Sequence, residues 1–158
     1  MVKRTSLEGD GCPIARALNV IGDWWSLLII REAMIGRRRF GEFQKSLGLA
    51  KNILTTRLRM LVEEGILSTE PASDGSAYQE YVLTDKGRGV FPILVALRQW
   101  SEAFDARPDE IDTLMVDRQT GRPVRKLELH SQDGRLLGPA DTMLKPRPPA
   151  KSKRRPPV

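Results

Sequence analysis

The sequence holds one cysteine and one histidine in 158 residues. A lone cysteine excludes a disulfide within the chain and fits a reducing compartment, so a cytoplasmic location is expected. It also excludes a cysteine-built zinc site, which needs about four ligands. His130 has no companions and reads as a surface or partly buried side chain, so no metal is assigned. Long apolar runs are missing too. Leu27-Leu28-Ile29-Ile30 is far short of the roughly 20 residues of a membrane span. The start, Met1 to Ser6, leads into no signal-type apolar core. No membrane partner is expected. There is no glycine-rich phosphate loop and no carboxylate–histidine grouping, so neither an enzyme, a catalytic residue nor a cofactor is expected. Asp23 and Asp85 stand where helix caps belong.

What the chain does have is local positive charge. The formal net charge is +6, from 26 Lys/Arg and 20 Asp/Glu. The last fourteen positions, 145–158, hold six of those cations, five prolines and no acid. Removing them leaves 20 cations against 20 acids, so the remainder is neutral overall. Within it, residues 31–59 carry eight Lys/Arg against Glu32 and Glu42. Concentration of that kind is what phosphate binding requires.

The pattern along the chain predicts four segments: a mobile arm 1–11, a main domain 12–105, a small β-rich unit 106–144, and a disordered basic tail 145–158. In the main domain, Cys12-Pro13 opens a helix that Gly22 stops, and Asp23 caps a second helix over 24–35 that is apolar nearly all round. A short helix 41–46 and a longer helix 50–64 are separated by Gly48-Leu49, the helix-turn-helix pattern. The period then changes to that of strands at 66–70 and 78–83, joined by Pro71 to Ser76, and a helix 85–104 closes the domain. Further on, turns at 119–121 and 132–134 predict a small β-meander over 111–144.

On a helical projection of 50–64, Leu54, Leu58, Leu61 and Val62 share one side. Asn52, Thr55, Thr56 and Arg59 fall within about 100° of each other on the opposite side. Asn suits adenine edges, Arg suits guanine O6/N7, and Thr suits a phosphate or a thymine methyl. Lys51, near the helix N-terminus, adds charge where the helix dipole favours a phosphate. Arg37, Arg38 and Arg39 precede the first helix of the motif and read as phosphate clamps that set register. The hairpin tip, Ser73 to Ser76, has no cation, which leaves Ser76 as the candidate contact there. An ordinary solvated helix face explains the same polarity, and the turn, hairpin and basic excess weigh against that.

Taken in order, C-P-I-A-R-A-L (12–18), I-G-D-W-W-S-L-L-I-I-R (21–31), R-R-F-G-E-F-Q (38–44), L-T-T-R-L-R-M-L-V-E-E-G-I-L (54–67), Y-V-L-T-D-K-G (81–87) and R-Q-W (98–100) resemble the HxlR-type regulators. These are a branch of the MarR-like winged-helix group. The resemblance covers about residues 12–104 and implies an α+β winged helix-turn-helix, a helical core with a β-hairpin wing. It also implies a homodimer on double-stranded DNA, with first and last helices at the interface; Ile14, Leu18, Trp24, Leu94, Leu97 and Trp100 are the candidates. Two departures stand out. Ala50 occupies a position where a capping Ser is usual, and the wing tip lacks the usual basic residue, which implies weaker binding or a shift of weight to Arg37–Arg39. Longer relatives carry a C-terminal unit like a zinc ribbon. Here T-G-R-P (120–123) and Q-D-G-R-L-L (132–137) stand where knuckles would sit without cysteines, implying a ribbon-like fold without metal.

Cys12 lies at a helix N-terminus, where the dipole favours thiolate, and some family members sense oxidants or electrophiles with a cysteine at this place. Burial at the dimer interface is the alternative. A small effector in apolar space near Trp24 and Trp25 is left open. The tail is either an electrostatic tether to DNA or a solvated terminus. The functional expectation is a sequence-specific regulator, by default a repressor, on a pseudo-palindromic operator. The alternative is a winged-helix protein-interaction module whose polar face meets an acidic partner.

Overall fold

The computed structural model describes residues 11–105 and 113–146. The arm 1–11, except its last residue, and most of the tail 145–158 lie outside the described residues. The chain divides into two compact units, Met1–Glu110 and Ile111–Val158.

The first unit runs α1 (Pro13–Ile21), α2 (Trp24–Met34), α3 (Phe40–Leu47), α4 (Lys51–Glu63), β1 (Leu67–Pro71), β2 (Gln79–Leu83), α5 (Asp85–Arg88) and α6 (Phe91–Phe104). Pro13 starts α1 at a position whose N–H has no helical acceptor. Asp23 caps α2 through its carboxylate, which accepts the N–H groups of Trp25 at 3.0 Å and Ser26 at 3.2 Å. Between α3 and α4 the chain turns in three residues, Gly48-Leu49-Ala50. Gly48 adopts a left-handed φ of 64°, which a side chain disfavours, and Leu49 is buried beneath the turn.

Ile29 and Ile30 of α2, Phe43 of α3, and Leu54, Leu58 and Leu61 of α4 form the core with Ile66 and Leu67, all essentially inaccessible. α3 and α4 turn their apolar sides to that cluster and α2 is apolar on most sides, so burial of these side chains, each worth about 1.5–3 kcal/mol, sets their packing. α4 is thereby held from behind by its leucines.

The strands pair antiparallel, Leu67 opposite Leu83 through Pro71 opposite Gln79. The connector before α3 joins them: the Tyr81 N–H donates to the Arg38 carbonyl at 2.8 Å. Thr84 caps α5 by accepting the Gly87 N–H at 3.1 Å, and its hydroxyl donates to the Gly65 carbonyl at 2.6 Å. Gly87 is required there, because a Cβ would lie 2.2 Å from the Ile66 carbonyl oxygen.

The single helix expected over 85–104 is instead broken between α5 and α6. Pro92 has no N–H to donate to the Arg88 carbonyl, so the first helix cannot continue. A new one starts from Val90, whose carbonyl accepts from Ile93 at 3.0 Å and Leu94 at 3.2 Å.

The second unit is built from turns. Single antiparallel bridges, Val116–Pro123 and His130–Leu136, stand where ladders were expected over 111–144. Both turns fall where the sequence puts them. Asp117 accepts from Gln119 and Thr120 N–H groups at 2.7 and 2.9 Å, and Gly134 takes a φ of 86° in the second turn. With most side chains exposed, too little apolar area is buried to select extended strands. His130 lies 3.1 Å from Glu128, and no described group of three or more His, Cys, Asp or Glu could hold a metal. No described helix is long and apolar enough to cross a membrane.

Candidate nucleic-acid interface

α4 presents Lys51, Asn52, Thr55, Thr56 and Arg59 on its exposed side, together on one face. The two threonine hydroxyls donate to carbonyls one turn back, Thr55 to Lys51 at 2.8 Å and Thr56 to Asn52 at 2.9 Å. Those bonds fix the hydroxyl rotamers and turn the methyl groups and remaining lone pairs outward. Arg59 is 67 % exposed and only loosely paired with Glu63, at 3.8 Å. Such a pair contributes little and is easily exchanged. Arg57, on the side of the helix, plays a structural part instead. It bonds Asp23 at 3.1 Å and ties α4 to the cap of α2.

The helix begins without a side-chain cap. Ala50 is the N-cap residue and no side chain accepts an N–H of the first turn. Those N–H groups sit beside Lys51, so the start of α4 offers both dipole and charge to an anion.

The three connector arginines are placed differently from a bare cationic patch. Arg37 donates to the buried Glu32 at 2.6 Å, and Arg31 reaches the same carboxylate at 2.7 Å. The Ser46 hydroxyl also donates to Glu32, so one carboxylate joins α2, the connector and α3. Burial pushes the Glu32 carboxyl up, but the bonds from Ser46, Arg37 and Arg31 outweigh it and hold its pKa below the ordinary range. Arg38 is 3.5 Å from Glu80 and remains half-exposed. Arg39 bonds Asp74 at 2.6 Å and approaches Glu80 at 3.5 Å. Burial acts upward on Glu80 as well, and hydrogen bonds from Ser73, Arg38 and Arg39 bring it down. Glu42 caps α3 by accepting the Arg38 and Arg39 backbone N–H groups at 2.8 and 2.9 Å, and these bonds lower its pKa.

Glu32, Asp74 and Glu80 are the site residues that sequence reading missed. Glu32 and Arg37 are five positions apart, and Glu80 and Arg39 are 41 apart, so no local pattern announces either pairing. At the wing tip, the Ser76 N–H bonds Asp74 at 3.0 Å, and the Ser76 hydroxyl oxygen is covered.

Away from α4, large apolar side chains are exposed on α1, at the start of α2 and on α6. Ile14, Leu18, Trp24, Leu97 and Trp100 are all exposed, Trp24 by 73 % and Trp100 by 60 %. Phe91, Ile93 and Phe104 of α6 are exposed as well, whereas Leu94 packs partly against the core. Cys12 is the exposed N-cap residue of α1. An open groove of about 540 Å³ lies between α2, β2 and α6, lined by Met34, Arg38, Tyr81, Leu83 and Phe91 among others.

The model of the HxlR-like helix-turn-helix family matches residues 20–109, which contain α2, the helix-turn-helix and the hairpin. The chain belongs to this family. An HTH-type transcriptional regulator of Mycobacterium tuberculosis is 43 % identical over 100 residues, 63 % of either chain, so the match spans less than two thirds of that relative. The crystal structure of PA1607, a candidate transcription factor, superposes with a TM-score of 0.83 at 55 % identity and covers 89 % of this chain and 99 % of that one. The oxidised form of the redox regulator HypR superposes with a TM-score of 0.53 at 32 % identity, covering 58 % of this chain and 96 % of that one. The architecture is a winged helix-turn-helix, with β1 and β2 as the wing.

Proposed function

We propose that the protein is a sequence-specific DNA-binding transcriptional regulator that acts as a homodimer, by default a repressor occluding a promoter. The observation that carries this reading is the exposed amide, hydroxyl and guanidinium face of α4, held outward by Leu54, Leu58 and Leu61. The exposed apolar side chains of α1, α2 and α6 support pairing, because large aromatic side chains left in water mark a contact surface. Two α4 helices related by a dyad then enter successive major grooves about 34–36 Å apart, on an imperfectly palindromic operator. Asn52 and Arg59 read base edges; Lys51, Thr55, Thr56 and the open Arg38 serve backbone and register.

The division of roles has a direct test. Arg59→Ala is expected to change the ranking of operator variants by about 1–3 kcal/mol at one base position, while Arg38→Ala weakens all duplexes alike. Uniform loss from both substitutions in a binding-selection experiment overturns it. The exposed Cys12 supports a second layer, release of DNA on oxidation or alkylation, and HypR is a redox regulator by name. Intersubunit disulfide, mixed disulfide and adduct are the available chemistries for a sole cysteine. Cys12→Ser is expected to abolish oxidant sensitivity in a gel-shift assay; a variant as sensitive as wild type contradicts it.

A further inference from the structure

The wing tip contributes an acid where a DNA-binding wing would be expected to contribute a cation. Asp74 is held in place from one side, its Oδ1 accepting the Ser76 N–H at 3.0 Å. Its Oδ2 accepts from Arg39 at 2.6 Å. Glu80, the other acid nearby, is almost fully buried, already bonded by Ser73 at 3.1 Å, and 3.5 Å from Arg38 and Arg39 alike. Asp74 is therefore the close partner of Arg39, and both remain substantially exposed, by 51 % and 36 %.

A pair so open to water holds the fold only weakly. The wing is secured by other means: the β1–β2 ladder, the Tyr81–Arg38 backbone bond and the Ala72–Tyr78 bond at 3.0 Å. Arg39 is also the N-cap residue of α3, the first helix of the motif, and that helix crosses the phosphate backbone when such motifs dock. Beside it lies an open recess of about 490 Å³, lined by Arg39, Phe40, Gly41, Glu42, Tyr78 and Gln79.

We propose that Asp74 is an internal stand-in for duplex phosphate: it occupies Arg39 in the unbound protein, and on DNA the guanidinium passes from carboxylate to phosphate. This rests on the reading of the domain as duplex-binding. The exchange leaves the Asp74 carboxylate without its close cation beside the backbone, which tempers affinity for any sequence alike, since a phosphate clamp carries no base information. Removing the carboxylate leaves Arg39 with only its longer 3.5 Å contact to Glu80, which Glu80 shares with Arg38 and Ser73.

The test compares wild type, Asp74→Asn, Arg39→Gln and the double variant by fluorescence anisotropy on a duplex from the chain's own upstream region, over a salt series. Asn keeps the oxygen that accepts the Ser76 N–H, and equal melting temperatures verify the fold. Asp74→Asn is expected to bind about 3- to 10-fold tighter at low salt. Its plot of log affinity against log salt should steepen by about 0.9, because in wild type the Asp74 carboxylate freed by the exchange takes up a cation and offsets one released counterion, and the variant has no such carboxylate. In the Arg39→Gln background that gain should vanish. Unchanged or weaker binding by Asp74→Asn overturns the proposal. So does a full gain without Arg39, which would make Asp74 a plain repulsive charge. Wild type that binds no duplex at low salt overturns the duplex-binding reading and this inference together; wild-type binding with no Asp74 effect overturns this inference alone.

Discussion

Glu32 ties α2, the connector and α3 together through one side chain. It is a buried carboxylate that satisfies Arg31, Arg37 and Ser46 together. Removing one side of such a cluster costs roughly 3–5 kcal/mol when all partners are buried. Here the arginines are half-exposed and water takes up part of the loss. Glu32→Ala is therefore expected to cost about 2–3 kcal/mol in urea unfolding. The pH dependence follows from the same bonds. Glu32, Glu42 and Glu80 all have their pKa lowered in the fold from the ordinary 4.5. Their contribution is complete above that value and is lost as pH falls through the lower folded values. Unfolding free energy should fall steeply with pH below about 4.5 and be flat near neutrality from these groups, and Glu32→Gln should make the acid slope shallower. A Glu32→Gln slope equal to wild type would show that Glu32 does not carry the acid dependence.

At the scale of elements, most of the main domain was legible. Caps and periodicity placed α1 to α4 and both strands within a residue or two, because Pro13, Asp23, Gly48 and Gly65 act locally. The polar face of α4 was legible for the same reason: helical periodicity sorts Leu54, Leu58 and Leu61 from Asn52, Thr56 and Arg59. What escaped depended on distance or on the sum of weak terms. The break before α6 needed Pro92 to outweigh a continuous apolar stripe, and the second unit has turns where strands were read. The Arg37–Arg39 run looked unpaired because its acids lie on other elements. One local departure is open to a simple change. Ala50→Ser would supply the cap that α4 lacks and is expected to raise stability by about 1 kcal/mol, read as a higher denaturation midpoint. No change would mean that the first-turn N–H groups are already satisfied by water.

At the scale of the whole molecule, the proposed function calls on two features, exposed apolar side chains on α1, α2 and α6 and a polar face on α4. Replacing Trp100 with Glu places a charge in the first and is expected to yield a monomer by sedimentation; a persistent dimer would move the interface elsewhere. The most direct test acts on the second surface. A variant carrying Asn52→Ala, Thr56→Ala and Arg59→Ala should be measured against wild type on the chain's own upstream duplex and on a scrambled one. Wild type is expected to prefer the upstream duplex by at least about a thousandfold, and the variant, folded and dimeric, to bind both alike. A variant that keeps the wild-type preference would contradict the reading role of α4.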